Sequence, residues 1–302
     1  YTDDHGTSYD ITSSATNVIQ NVDDEPNGTI TIDNNTNAKE DDVLTFTNTL
    51  TDEDGIKLNS YTYQWAQDTV DISGATNTTF TLRHRHVGKQ MTLVVNYEDN
   101  YGGVHTVTSG STNSVINVDD PHAGDVVIQG TATEDNVLSI VNTLTDEDGI
   151  TNGFTYKWLR SGNVITGATN DTYTLVQSDV DETIMVTVSY IDDHSSSHSI
   201  TSAATAQVGN VDDLPSGTIV ISGSAQEDQV LSINNSIVDE DGISNGFTYQ
   251  WLRNSTNISN ETNDTYTLQQ IDVGEEVKVV VSYTDDQGGQ HIIYSYTSRN
   301  NW

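Results

Sequence analysis

Apolar residues along this chain fall in short alternating runs, not in helical stripes. Val43–Leu50, Tyr61–Trp65 and Met91–Tyr97 read as half-buried strands, and Gly28–Ile32, Phe80–Leu82 and His105–Val115 as further ones. Gly, Asn and Asp interrupt the runs and mark turns. No window keeps apolar residues at helical spacing, so almost no helix is expected.

The pattern then repeats. Trp65, Trp158 and Trp251 stand 93 residues apart in both intervals, as do Tyr97, Tyr190 and Tyr283. A fixed long period with the same signals at the same phases predicts one small domain copied in tandem. The three prolines, Pro26, Pro121 and Pro215, all sit just after Asn-Val-Asp-Asp pairs, where a fixed φ stiffens a linker. The expected domains are 25–120, 121–213 and 214–302, and residues 1–24 match the closing part of a preceding repeat or an exchanged strand. Six or seven antiparallel strands per repeat, with a tryptophan on the third, predict an all-β tandem array of immunoglobulin-like Greek-key sandwiches. The tryptophans are read as core.

Composition sharpens this. The chain has 45 Asp+Glu against 10 Lys+Arg, a formal charge of −35 and 33% hydrophobic residues. Such numbers alone suit disorder, but the placed tryptophans and strand runs favour thin β-domains with small cores. The charge excludes nucleic acid as a natural partner and disfavours anionic membrane surfaces. No apolar stretch is long enough for membrane insertion. Cysteine is absent, so disulfides cannot staple the domains and another cross-link is expected. The chain opens on Tyr1 without a signal-like segment, and the expectation is a piece of something longer. Sequons such as those at Asn27, Asn77, Asn170, Asn254 and Asn263 are read as chance in a chain rich in Asn, Ser and Thr.

The acids carry the candidate chemistry. On a Greek-key sandwich, the Asp-Glu-Asp-Gly turn and the Tyr-X-Asp-(Asp/Asn) turn lie at the end where the preceding linker enters. The Glu-Asp turn between the first two strands lies at the other end, beside the outgoing linker. The first full junction then gathers Glu40, Asp41, Asp119, Asp120, Asp146, Asp148, Asp192 and Asp193. The second gathers Glu134, Asp135, Asp212, Asp213, Asp239, Asp241, Asp285 and Asp286, and a partial one keeps Asp23, Asp24, Asp52, Asp54 and Asp99. Carboxylates in such number need neutralising. Hard cations with six to eight oxygen ligands suit them, and Ca2+ tolerates irregular carboxylate geometry best. With no cysteine, and no histidine expected in phase with the motifs, zinc is disfavoured. Asp and Asn also simply make good turns. That explains one cluster, but not acids recurring at four phases that the topology brings together.

Asn-Val-Asp-Asp-X-Pro-X-Gly-Thr-Ile, Glu-Asp-X-Val-Leu, Thr-Asp-Glu-Asp-Gly-Ile, Tyr-X-Trp, Gly-Ala-Thr-Asn and Asp-Val-Gly followed by Val-Ser-Tyr-X-Asp recur along nearly the whole chain. This set resembles the tandem immunoglobulin-like or cadherin-like repeats of large bacterial surface adhesins, including repeats-in-toxin extender regions. The resemblance implies secretion to the cell surface, calcium-stiffened junctions and a spacer or adhesive role. Departures are His86-Val87-Gly88 in place of Asp-Val-Gly in the first repeat, and Asp181 in place of that glycine in the second.

Two further clusters stand outside the acidic pattern. Arg83-His84-Arg85-His86 is the one basic cluster; on a strand, its arginines would face one way and its histidines the other. It suits an anionic glycan or, more simply, nearby surface carboxylates. His194 and His198 flank Ser195–Ser197, but no nucleophile elbow accompanies them. Every acidic pair repeats in phase, unlike catalytic residues, so no enzyme is expected. The expected function is an extracellular, calcium-rigidified spacer of an adhesin or fibre. Its partners would be neighbouring repeats of the same or identical chains, with end-to-end assembly through residues 1–24. The alternative is a glycan- or receptor-binding module, or a viral fibre or decoration protein, for which Arg83–His86, Tyr294, Tyr296 and Trp302 are the unrepeated features.

Overall fold

The computed structural model describes residues 1–295, which form two compact units: Tyr1–Pro121 with Asp146–Gly149, and His122–Thr145 with the chain from Ile150 onward. Among the described residues it is all β, broken only by three single-turn 3-10 helices.

In the first unit the strands are β1 (Ile30–Ile32), β2 (Val43–Leu44), β3 (Phe46–Asn48), β4 (Thr62–Gln67), β5 (Val70–Asp71), β6 (Phe80–Thr81), β7 (Met91–Glu98) and β8 (Val104–Thr108). One sheet runs β5-β4-β7-β8, and β1-β3 with β2-β6 form the other layer, all antiparallel. Alternation along β7 sends Met91, Leu93, Val95 and Tyr97 inward against Trp65, Leu82, Leu44 and Ile32. Trp65 is fully buried, and its indole N–H donates to the Asn77 carbonyl at 3.0 Å. The ring therefore adds its large apolar area without an orphaned donor.

The last strand ends earlier than the expected His105–Val115. Beyond Thr108 the ladder is continued by side chains: Leu93 N–H donates to Ser109 Oγ and Met91 N–H to Thr112 Oγ1, each at 2.9 Å. The hydroxyls satisfy buried amides that a regular strand would pair, so sequence alternation alone overran the strand.

The second unit holds two sandwiches of the same plan. The first comprises β9 (Val126–Gln129), β10 (Val137–Asn142), β11 (Thr155–Arg160), β12 (Asn163–Val164), β13 (Thr172–Thr174), β14 (Ile184–Ile191) and β15 (Ser197–Thr201), in sheets β13-β10-β9 and β12-β11-β14-β15. The second comprises β16 (Ile219–Ser222), β17 (Val230–Asn235), β18 (Thr248–Arg253), β19 (Thr256–Asn257), β20 (Thr265–Thr267), β21 (Val277–Thr284) and β22 (Gln290–Tyr294), in sheets β16-β17-β20 and β19-β18-β21-β22. Each has its own core, around Trp158 and Trp251. At the entry to the second, Gly217 adopts φ +101° and packs so tightly that a Cβ would collide with the Ser236 carbonyl oxygen. Only glycine fits there.

Arg83–His86 is not a strand. His84–His86 form a 3-10 turn in which His86 is buried and its Nδ1 accepts the Arg83 N–H at 2.9 Å, while Arg83 and Arg85 are exposed. The later repeats explain it. There Asp179 and Asp272 occupy the position of His86. Asp179 binds Arg160 Nε at 2.7 Å and the Tyr173 hydroxyl at 2.8 Å; Asp272 binds Arg253 Nε at 2.5 Å and the Tyr266 hydroxyl at 2.7 Å. The first repeat replaces the whole set by Gln67, Phe80 and His86, with the Phe80 and His86 rings meeting edge-on at 5.1 Å. Losing the arginine without losing the acid would strand a buried charge. Burial, with Arg85 and Arg83 nearby, pushes the His86 pKa down, in keeping with an Nδ1 that accepts the Arg83 N–H.

Residues 1–24 form no sandwich strand. Tyr1–Tyr9 make a small hairpin, with Asp3 Oδ1 accepting the N–H groups of His5 at 3.0 Å and Thr7 at 2.9 Å. Asp99 braces its own turn in the same way, through the N–H groups of Tyr101 at 2.7 Å and Gly103 at 2.9 Å. Tyr294 is exposed on β22; Tyr296 and Trp302 lie outside the described residues.

Candidate metal centre

The acidic turns are built alike. In Asp-Glu-Asp-Gly the first Asp closes its own turn: Oδ1 of Asp52, Asp146 and Asp239 accepts the N–H of Asp54, Asp148 and Asp241 at 2.9, 2.9 and 3.0 Å. Oδ2 of Asp52 accepts the Tyr97 hydroxyl at 2.7 Å, and Oδ2 of Asp239 that of Tyr283. Burial, then these carboxylate contacts, push both phenols well above their usual range. The middle glutamates Glu53, Glu147 and Glu240 point to solvent, whereas Asp54, Asp148 and Asp241 are buried. The buried Asp then receives the linker. The N–H groups of Asp24, Asp120 and Asp213 donate to Asp54, Asp148 and Asp241 at 3.2, 3.0 and 2.9 Å.

The second unit assembles a complete set. Glu134, on the turn before β10, is 2% exposed, and its Oε2 accepts the Val211 N–H at 3.3 Å. Burial, and repulsion by Asp213, Asp241 and Asp135, raise its pKa against the pull of the Val211 amide. Burial, then Asp241, Asp135, Asp239 and Asp212, raise that of Asp213. Beside them Asp212, Asp239 and Asp285 surround His291, whose Nε2 lies 3.6, 3.6 and 3.0 Å from them. Burial opposes the Asp285 charge, but the His291 contact and the amides of Gly289, Gln287 and Gly288 outweigh it and hold its pKa down. Among the described residues no Lys or Arg pairs with any of these carboxylates. The Arg160 and Arg253 ion pairs lie inside the sandwiches, and the lysine pairs join Lys57–Glu98, Lys89–Asp68 and Lys278–Glu276. Asp286 stands aside, holding the N–H and hydroxyl of Ser244, and Asp193 holds those of Thr151.

The first unit brings Glu40, Asp120 and Asp148 together with His84, their ligand atoms all within 4.8 Å of one another. Glu40 is 4% exposed, and its Oε2 has no hydrogen-bond partner, an orphaned carboxylate oxygen that suits a cation. A second group in this unit joins Asp23 and Asp99 to His105, with Asp52 3.6 Å from the imidazole Nε2. Asp41 and Asp119 are exposed. Asp192, in the other unit, accepts the N–H groups of His194 and Ser196 through Oδ1, both at 2.8 Å, and meets His198 Nε2 at 3.1 Å through Oδ2.

The expectation that no histidine falls in phase is wrong. His105, His198 and His291 recur every 93 residues, each eight residues after the repeated tyrosine. Their rings stack on Tyr97, Tyr190 and Tyr283 at 5.0, 4.8 and 4.9 Å. The signal was present in the spacing, but the intervening turn residues differ between repeats and masked it. His198 is thus one of a periodic set and not a singular catalytic base.

No family model matches the chain, and no curated protein matches it in sequence. Among solved structures it is similar to the Ca2+-stabilized adhesin that helps an Antarctic bacterium reach out and bind ice, at 15% identity over 91% of this chain and 73% of that one, TM-score 0.30. It is also similar to a tetra-tandem repeat from the extending region of a large adhesion protein, at 18% identity over 88% of this chain and 72% of that one, TM-score 0.29. Titin domains A168–A170 share 11% identity over 90% of this chain and 97% of theirs, TM-score 0.27. The fold stands on the strand pairing described above.

Proposed function

We propose that this chain is a spacer segment of an extracellular adhesive or structural protein, whose successive sandwiches are held in register by Ca2+. The carrying observation is the cluster of Glu134, Asp135, Asp212, Asp213, Asp239, Asp241 and Asp285, without any Lys or Arg partner among the described residues. Like charges at this density repel unless a cation intervenes. The donors are carboxylate oxygens, the chemistry of a hard cation. Glu134, Asp213 and Asp241 would hold one, and it would supply the positive charge that ties the turn before β10 to the linker and to the turn after β17. Bending the chain there would break coordination, so the ion acts as a strut. The periodicity of the acids speaks for a repeated mechanical element.

The test is calorimetric unfolding and small-angle scattering with Ca2+ and with a chelator. Ca2+ is expected to raise the melting temperature and narrow the distribution of maximum dimensions. Identical melting and scattering in both conditions would overturn the reading.

A further inference from the structure

Gln177 and Gln270 stand 93 residues apart on the 3-10 turns of the second and third sandwiches, and the same phase in the first is His84. With its amide turned to suit its neighbours, Gln177 donates to Glu134 Oε1 at 2.9 Å and Oε2 at 3.1 Å, and to Asp241 Oδ1 at 3.2 Å. Gln270 likewise faces Glu227 at 3.2 Å. The glutamine at this phase is a donor to the acids. His84 presents an imidazole nitrogen instead. Its Nδ1 lies 3.5 Å from Glu40 Oε1 and 3.4 Å from Asp148 Oδ1.

We propose that the Glu40–His84–Asp120–Asp148 cluster is a site for a divalent transition metal of the Zn2+ class, distinct from the Glu134–Asp213–Asp241 centre of the second unit. This rests on the reading that the acidic clusters hold cations, and adds which cation goes where. Two observations carry it beyond an accumulation of acids. Glu40 and Asp148 are 4% and 2% exposed, and Glu40 Oε2 and Asp148 Oδ1 have no hydrogen-bond partner. Asp148 Oδ1 faces the His84 nitrogen directly, and Glu40 faces it through its other oxygen, Oε1. Edges of 3.4 and 3.5 Å also match a tetrahedron with metal–ligand bonds of about 2.0–2.1 Å, whose edge is about 3.4 Å. An octahedron of oxygens around Ca2+ has nearly the same edge, so spacing does not choose between them. The donor does: imidazole suits Zn2+, Co2+ and Ni2+ and adds little for Ca2+.

The experiment is a Co2+ titration of the chelator-stripped full chain in excess Ca2+, followed by d–d absorption and Zn2+ competition, on the parent protein, His84→Gln and Gln177→His. His84→Gln installs the residue natural to the other repeats, so folding should survive, which calorimetry checks. The parent is expected to bind one Co2+ equivalent that His84→Gln binds at least about tenfold more weakly. Gln177→His should gain an equivalent, because it recreates the same donor set around Glu134 and Asp241. The periodic histidines are common to all three proteins and cancel in the comparison. Equal Co2+ affinity in the parent and His84→Gln, or displacement by Ca2+ equally easy in both, overturns the proposal. If Ca2+ fails to stabilise any of the three while the His84-dependent equivalent persists, the calcium strut fails and this site stands.

Discussion

Replacing Glu40 by Gln should stabilise the chelated protein and remove the added stability that Ca2+ or Zn2+ gives the parent. Glu40 shares a space with Asp120 and Asp148, ligand atoms within 4.8 Å. At an effective dielectric of about 20, two unit charges at that distance repel by roughly 3.5 kcal/mol. His84 offsets part of this when protonated, and solvent reaching the half-buried Asp120 screens more, so about 1–3 kcal/mol of relief is expected from removing the charge. The raised pKa of Glu40, caused by burial and opposed by His84 and the Val118 amide, has the same sign. For a sandwich of this size each kcal/mol shifts the midpoint by about 4–8 °C, giving a gain of roughly 5–20 °C in chelator. A cation at a hundredfold excess over its Kd contributes about 2.7 kcal/mol, which the variant forgoes. The two melting curves must therefore draw together when metal is added, and they exchange order where the relief is below about 2.7 kcal/mol. Differential scanning calorimetry of both proteins, with metal and with chelator, reads this directly. A Glu40→Gln protein that melts at or below the parent in chelator would refute the argument, because a loss independent of metal means the carboxylate was serving packing and not a cation.

Arg253→Ala should destabilise the third sandwich by stranding the buried Asp272, though less than for a fully enclosed pair because Arg253 is partly exposed. Exchanging the trio for that of the first repeat, Arg253→Gln with Tyr266→Phe and Asp272→His, should recover most of the loss in urea titration. Gly217→Ala should destabilise by about 1–3 kcal/mol, since its φ of +101° is strained for any other residue and the added methyl meets the Ser236 carbonyl. The chelated protein should lose stability as pH rises from acid toward neutral. Glu134 and Asp213 have pKa values raised above the ordinary 4.5 and 3.8, so the folded state holds those protons more tightly. That contribution is full below the ordinary values and vanishes as pH passes the raised ones. Asp285, held down, acts oppositely and only in a lower window. Saturating Ca2+ should flatten or reverse the slope in a melting series over that range.

The sequence alone carried the β-sandwich and the convergence of the turns. Alternation along Met91–Tyr97 and the tryptophan on the third strand are local patterns, and the period multiplied each of them threefold. The acids at the Glu-Asp turn, the linker and the Asp-Glu-Asp-Gly turn could be brought together on paper, because Greek-key topology fixes which turns share an end. Chemistry inside that neighbourhood was not legible. Asp239 and Asp241 are two residues apart with the same side chain, yet one closes its own turn and holds Tyr283 while the other takes the Asp213 amide. Asp286 follows Asp285 directly and faces Ser244. Which way a carboxylate points depends on the backbone angles of its turn, and composition does not encode them. His84 shows the limit most clearly. In the sequence it belonged to a basic run expected to sit on a strand; a 3-10 turn separates it from His86, burying one against Phe80 and aiming the other at Glu40 and Asp148. Period and topology are properties of the chain's pattern, but donor direction and desolvation arise only once distant turns are packed together.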